Sequence, residues 1–254
     1  MAQRQSGLMD RLAFRRMQRR WERAQKAARL RGAGDLSELW REVTELTRTG
    51  EALCHTISCE RAARFARSET IERPLGCDWA WRPPVMTLPV APDQLAGAAS
   101  GSLLGEGIKL FHDCPSQEIS LRQIRNTGAS ATPFGIELEV FGFHGSFLSL
   151  VLDLPQDAVS GFRLHHLVEL DLDMEMEEPR PVYCRFNIQH GPNHDQLLGQ
   201  MPEGGGVVQF DLAYTKLNEK RLEKAWIDLL FEAPAMNKIT LRDMTLLRHP
   251  RADL

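Results

Sequence analysis

From about residue 105 onward, apolar and polar side chains alternate in short runs. The sharpest alternation sets Leu170, Leu172, Met174 and Met176 against Asp171, Asp173, Glu175 and Glu177. A period of two places one set on each face of a strand. Runs of the same kind fall at 107–112, 118–125, 135–143, 146–154, 166–176, 182–190, 207–213, 224–231 and 238–247. Between them stand turn residues: Gly145, Pro155 with Asp157, Pro179 with Pro181, Gly191-Pro192-Asn193, Gly204-Gly205-Gly206 and Pro234. Short strands punctuated in this way predict a mainly β domain over 105–254, an antiparallel β-sandwich of jelly-roll kind. Residues 218–224 read as one helical turn between two of its strands.

The N-terminal quarter keeps a different period. Met9, Leu12, Ala13, Met17, Trp21, Ala24 and Ala28 recur at spacings of three and four within a stretch free of proline, which predicts an amphipathic helix over 8–31. Gly32-Ala33-Gly34 is suited to end it. Asp35 with Glu38 has the spacing of a capping box for a second helix reaching about Arg67. Leu36, Trp40, Val43, Thr47, Gly50, Cys54, Ile57 and Arg61 follow at heptad spacing, and Leu39, Leu46 and Leu53 widen the apolar face. An α-helical hairpin over 1–68 is expected, with Trp21 and Trp40 packed between its arms. Residues 69–104, which hold Pro74, Pro83, Pro84, Pro89 and Pro92, read as an extended connector lying along the sandwich, anchored by Trp79 and Trp81.

Charge divides the chain in the same place. Residues 1–34 hold ten Lys/Arg against two acids, a net +8, so the other 220 residues carry −11 of the overall −3. A basic arm on an acidic body calls for an anionic surface: phospholipid, nucleic acid or the body itself. Arg15, Arg16, Arg19, Arg20 and Arg23 are the candidate contacts. Nucleic acid is disfavoured because no known binding fold surrounds them. The five cysteines are scattered, with no Cys-x-x-Cys pair, which argues against a disulfide framework or a zinc cage. No apolar run reaches the roughly 20 residues of a membrane helix. No apolar h-region follows the basic start. The expected location is cytoplasmic, at most peripheral to the inner membrane.

Candidate chemistry is sparse. Same-face carboxylates of the 171–177 row stand about 7 Å apart along a strand, too far for all four to hold one ion. The densest polar cluster runs from Cys184 to His194. Arg185, Asn187 and Gln189 share one strand face there, and His190, Asn193 and His194 sit at or after its end. Guanidinium, amide and imidazole groups are those that hydrogen-bond sugar hydroxyls or carboxylates. The same cluster also reads as a polar outer face running into a Gly-Pro-Asn turn. His144, His165 and His166 lack ligand spacing. Nucleophile-elbow, phosphate-loop and His-Glu-x-x-His motifs are absent from the sequence. No cofactor and no metal are expected.

The segments 76–83, 110–114, 145–155, 210–215, 217–221 and 249–254 together resemble a family of alphaproteobacterial proteins known as a domain of unknown function. The resemblance runs over nearly the whole chain. It implies a bacterial protein of one architecture and brings no catalytic residues. The closing pattern 225–231 with 239–246 is similar to the last strands of jelly-roll carbohydrate-binding domains.

The leading reading is a non-enzymatic binding module. Its sandwich recognises a glycan or a protein surface through Trp79, Trp81, Arg185, Asn187, His190 and Asn193, and its helices mediate association, including homo-oligomers. The alternative is a scaffold held to a membrane or other anionic surface by the first helix. A third reading is a glycan-active enzyme using carboxylates such as Glu137 or Asp153.

Overall fold

The computed structural model describes residues 8–28, 33–68, 71–105, 107–127 and 131–251, without the side chains of 8–12, 14, 33–35, 61–63 and 65–68. The chain divides into two compact units, Met1–Thr56 and Ile57–Leu254.

In the first unit the arginine- and alanine-rich start forms helix α1 (Leu8–Ala27). Helix α2 (Ala33–Ser68) follows and runs on past the end of the unit. It begins two residues before Asp35, the expected cap. Gly32 and the side chains of Asp35, Met9 and Leu12 lie outside what is described. Arg20 Nη2 donates to Glu42 Oε2 across the two helices at 3.2 Å. Trp21 is half-buried, but Trp40 is 75% exposed, against the expectation that it packs on Trp21. Leu36, Val43, Leu46 and Leu53 of α2 are exposed too.

The second unit is the sandwich. In chain order it contains β1 (Trp79–Trp81), a single helical turn α3 (Pro84–Thr87), β2 (Gln94–Ala96), β3 (Ser102–Leu104) and β4 (Ile108–His112). Then come β5 (Ile119–Arg125), β6 (Phe134–Val140), β7 (Leu148–Asp153), a short helix α4 (Gln156–Ser160), β8 (His166–Met176) and β9 (Val182–His190). The last four strands are β10 (Asn193–Gln200), β11 (Gly205–Asp211), β12 (Leu222–Phe231) and β13 (Asn237–Pro250). All pairings are antiparallel. One sheet has the order β11-β8-β13-β6-β5-β2, with β1 added on β13. The other has the order β10-β9-β12-β7-β4-β3.

Each alternating run in the sequence became a strand. The proline-rich segment did not stay a connector: β1, β2 and β3 pair with β13, β5 and β4. Its prolines fall outside these three-residue strands, Pro74 before β1 and the other four between β1 and β2, where no ladder N–H is needed. A fourth unexpected strand, β10, follows the turn at Gly191, whose φ of +61° suits glycine. The residues expected to form a helical turn before Lys224 instead lead into β12, which starts at Leu222.

The inward sets of both sheets make one core. Leu121, Ile136, Leu138, Leu170 and Leu172 of the first sheet face Leu110, Leu150, Leu152, Ile227 and Leu229 of the second, all at most 3% exposed. At its centre Phe186 meets Phe162 edge-on at 5.6 Å and stacks on Phe210 at 5.4 Å, bridging β9 of one sheet to β11 of the other. Burial pushes the neighbouring Cys184 thiol up to about 12.

Polar clamps hold the early strand to the late one. Arg248 on β13 reaches Asp78 through Nε at 2.9 Å and Nη2 at 3.2 Å, and its Nη1 donates to the Ala158 carbonyl at 3.0 Å. Its guanidinium lies within 6 Å of the Trp79 and Phe162 rings. Arg82 forms a second fork on Asp243, at 2.8 and 2.7 Å.

His166, 4% exposed, lies beside the first clamp. Burial lowers its imidazole from 6.5 to about 4, helped by His165, Arg248 and Arg163 and opposed by Asp78. The unfolded chain therefore takes up a proton below pH 6.5 that the folded chain refuses until about pH 4. Stability should be full above pH 6.5 and fall towards pH 4, by roughly 3 kcal/mol across the interval. Urea unfolding at a series of pH values would show this fall, and His166→Gln should flatten it. An equal fall in the variant would assign the acid sensitivity elsewhere.

Candidate functional site

Strand register brings one set of outward side chains into rows across the second sheet. Gln196, Asn187, Trp226 and Asp153 form one row, from β10 through β9 and β12 to β7. The next holds Leu198, Arg185, Asp228, Val151 and Lys109. Trp226 and Asp153 of the first row and Arg185, Asp228, Val151 and Lys109 of the second line an open groove of about 550 Å³, flanked by Lys224, Phe111, Phe147 and Leu230.

Two ion-pair clusters organise the groove. Lys109 Nζ donates to Asp153 Oδ2 at 2.6 Å, while Lys224 approaches Oδ1 of the same carboxylate at 3.1 Å. Burial alone would raise the Asp153 pKa, but the hydrogen bonds and charges of the two lysines outweigh it and hold the group below its usual range. Asp228, 3% exposed, accepts from Arg185 Nε at 2.7 Å and from Asn187 Nδ2 at 3.2 Å. Asn187 Nδ2 also faces the Arg185 and Trp226 carbonyls at 3.0 and 3.4 Å. Between the clusters stands Trp226. The His194 ring stacks near-parallel to the indole at 5.1 Å, and the Lys224 ammonium lies 5.2 Å from its centroid. Phe111 and Phe147 are 37% and 43% exposed, so the groove offers aromatic surface as well as charge.

The residues singled out in the sequence are not gathered here as a set. Arg185 lines the groove. Asn187 shares its face, but at 1% exposure it braces Arg185 and Asp228 from beneath and cannot touch a ligand. His190 points to the other side of β9. It is 2% exposed, held by Asp195 Oδ2 at 3.0 Å, and its Nδ1 faces the Asn218 N–H at 3.4 Å. Asn193 is exposed at the start of β10, outside the groove lining. Trp79 and Trp81 belong to the opposite sheet. They stack on each other at 6.3 Å and pack against the core, and Trp79 Nε1 donates to Asp157 at 3.3 Å. Their anchoring role fits this position, and a sugar platform does not. Glu137 and Asp153, weighed as catalytic carboxylates, lie on opposite sheets, and Glu137 is paired with Arg122. The acidic row of β8 is exposed and lies on the first sheet. In the first unit Arg15, Arg16, Arg19, Arg20 and Arg23 are all exposed along α1.

Trp226, Lys224, Asp228 and Lys109 were missed. The alternation of Lys224, Trp226 and Asp228 against Ala225, Ile227 and Leu229 was a usable signal within one strand. The partners on β7 and β4 are set only by long-range pairing.

No curated protein matches the chain. Among solved structures, it is similar to the enzymatically active domain of bacteriophage CBA120 tailspike protein 4. That match has TM-score 0.41 and 6% identity, over 56% of this chain and 19% of that one. It is similar to the family 11 carbohydrate-binding module from Clostridium thermocellum in complex with a mixed-linked tetrasaccharide, with TM-score 0.39 and 8% identity, over 63% of this chain and 97% of that one. A third is the CBM22-1 xylan-binding domain of Paenibacillus barcinonensis Xyn10C, with TM-score 0.37 and 10% identity, over 72% and 100% of the two chains. One family model matches residues 1–254 from end to end, and the chain belongs to that family of unknown function, DUF6478.

Proposed function

We propose that the outer groove of the second sheet binds a carbohydrate chain without cleaving it. The observation that carries this reading is the composition of the groove lining, where the exposed Phe111 and Phe147 and the half-buried Trp226 stand beside fixed polar groups. A sugar ring has an apolar C–H face and a rim of hydroxyls, and such a floor serves both. The polar groups are held in advance by their own ion pairs, which reduces the ordering cost of binding. The groove is open, which suits an internal stretch of a polymer. Glycoside cleavage needs a carboxylic acid whose pKa is raised. The two lysines drive Asp153 in the other direction.

Electrophoresis of the full chain through gels containing different polysaccharides tests this reading. Retardation by at least one of them is the expected result. Unaltered mobility in glucans, xylans, mannans and uronic-acid polymers alike would remove it.

A second reading concerns the first unit. The five exposed arginines of α1 favour attachment to an anionic membrane surface. No described helix is long and apolar enough to cross a membrane. Co-sedimentation with phosphatidylglycerol vesicles should fall sharply when those arginines are replaced by alanine. Equal binding by the variant would exclude this reading.

A further inference from the structure

We infer that the carbohydrate taken by this groove is acidic, a chain bearing uronic-acid carboxylates. The inference rests on the carbohydrate reading and adds the class of sugar to it. Three cations and two carboxylates line the groove, and they are unequally accessible. The side chains of Lys109, Arg185 and Lys224 are 34%, 39% and 49% exposed, whereas those of Asp153 and Asp228 are 30% and 5% exposed. Among charged groups, a ligand entering the groove therefore meets three partly exposed cations and one partly exposed carboxylate, Asp153.

The same imbalance holds for hydrogen bonding. Asp228 Oδ2 is committed to Arg185 and Asn187, and Asp153 Oδ2 to Lys109. Ser149 is 4% exposed. Each lysine carries three N–H donors and the arginine five, more than these contacts use. A neutral sugar rim donates as well as accepts and would find few free acceptors. A carboxylate accepts only and matches what is on offer.

Placement agrees with supply. The Lys224 ammonium sits 5.2 Å from the Trp226 centroid. A sugar seated in the groove beside the indole would bring an exocyclic carboxylate within reach of that ammonium. Lys224 engages Asp153 Oδ1 with a single approach at 3.1 Å, which leaves its other N–H donors available. Residues 69–254 carry sixteen Lys/Arg against twenty-six Asp/Glu, a net charge that opposes any polyanion at long range. Screening cuts that repulsion off beyond roughly 8 Å at physiological salt, so the local cations decide the outcome.

Calorimetric titration of the full chain is the test. The probes are short oligosaccharides of galacturonate, alginate and hyaluronan, the same oligosaccharides with their carboxylates methyl-esterified, and neutral glucan and xylan oligosaccharides. At least one acidic form should bind about tenfold or more tightly than its own ester, the size of one charge-assisted hydrogen bond. Lys224→Met should remove most of that difference between acid and ester. Replacing Arg15, Arg16, Arg19, Arg20 and Arg23 with alanine should change nothing. Equal affinity for acid and ester, or binding of neutral chains alone, would overturn the acidic class and leave the carbohydrate reading standing. Loss of binding in the five-arginine variant, with none in Lys224→Met, would overturn it by moving the contact to α1. Binding of no oligosaccharide would remove both readings together.

Discussion

Trp226→Ala is expected to weaken carbohydrate binding thirty- to a hundredfold, while leaving the protein folded. The indole lies at the middle of the groove, in the row between Asn187 and Asp153, with the Lys224 ammonium beside it. A central aromatic anchor of a binding surface typically contributes on the order of 2–3 kcal/mol, which is the stated loss. Its structural contribution is smaller, because the side chain projects from the outer face and is only half-buried. Removing its stack with His194 should cost about 1 kcal/mol of stability. Trp226→Phe keeps an aromatic surface and should recover part of the affinity. Titration of both variants beside a thermal melt separates the two effects. Unchanged binding by Trp226→Ala would show that the groove is not the site.

Arg248→Ala should be the most destabilising single change among the polar residues described here, by about 3 kcal/mol. Its side chain is 8% exposed and makes four separate interactions: the Asp78 fork, the Ala158 carbonyl and two aromatic rings. Asp78 is 43% exposed and remains solvated when its partner leaves, so its ion pair accounts for little of the loss. Most comes from the orphaned Ala158 carbonyl and the vacated space against Trp79 and Phe162. Lysine should not rescue, since it lacks the planar fork. Gly161→Ala offers an independent check. A Cβ there would lie 2.6 Å from Arg248 Cζ and displace the guanidinium with no change at residue 248. Urea denaturation reads both variants. A loss below about 1 kcal/mol in each would mean that the clamp is not what holds β1 to β13.

The sandwich was legible because period-two alternation is local: Leu170, Leu172 and Met174 are buried wherever β8 is placed. Strands three residues long carry no such signal, which is why β1, β2 and β3 were read as connector among their prolines. β10 was hidden differently. Its outward set of His194, Gln196, Leu198 and Gln200 mixes polar and apolar residues, and Gly199 interrupts its inward set. The same physics divides the site. That Arg185 and Asn187 share a face follows from their spacing. Their unequal exposure depends on Asp228 and Trp226, which arrive from a strand some forty residues later. Trp79 and Trp81 misled for the complementary reason. A tryptophan beside prolines has the composition of a ligand platform, and only the pairing of Trp79 and Trp81 with Arg248 and Leu246 shows that they pack, partly buried, against the core.

The position of β13 at the heart of its sheet bears on how the chain acquires its structure. β13 pairs with β8, β6 and β1, and its two arginine–aspartate forks reach across 161 and 170 residues of sequence. During synthesis every other strand of that sheet emerges before the strand that joins them. Until residues 237–250 leave the ribosome, β6 and β8 have no common partner and each keeps an unpaired edge. Contacts of such separation close late and slowly. This protein should therefore complete its first sheet only after translation has passed β13, and should rely on chaperones during that interval more than a sandwich whose central strand comes early.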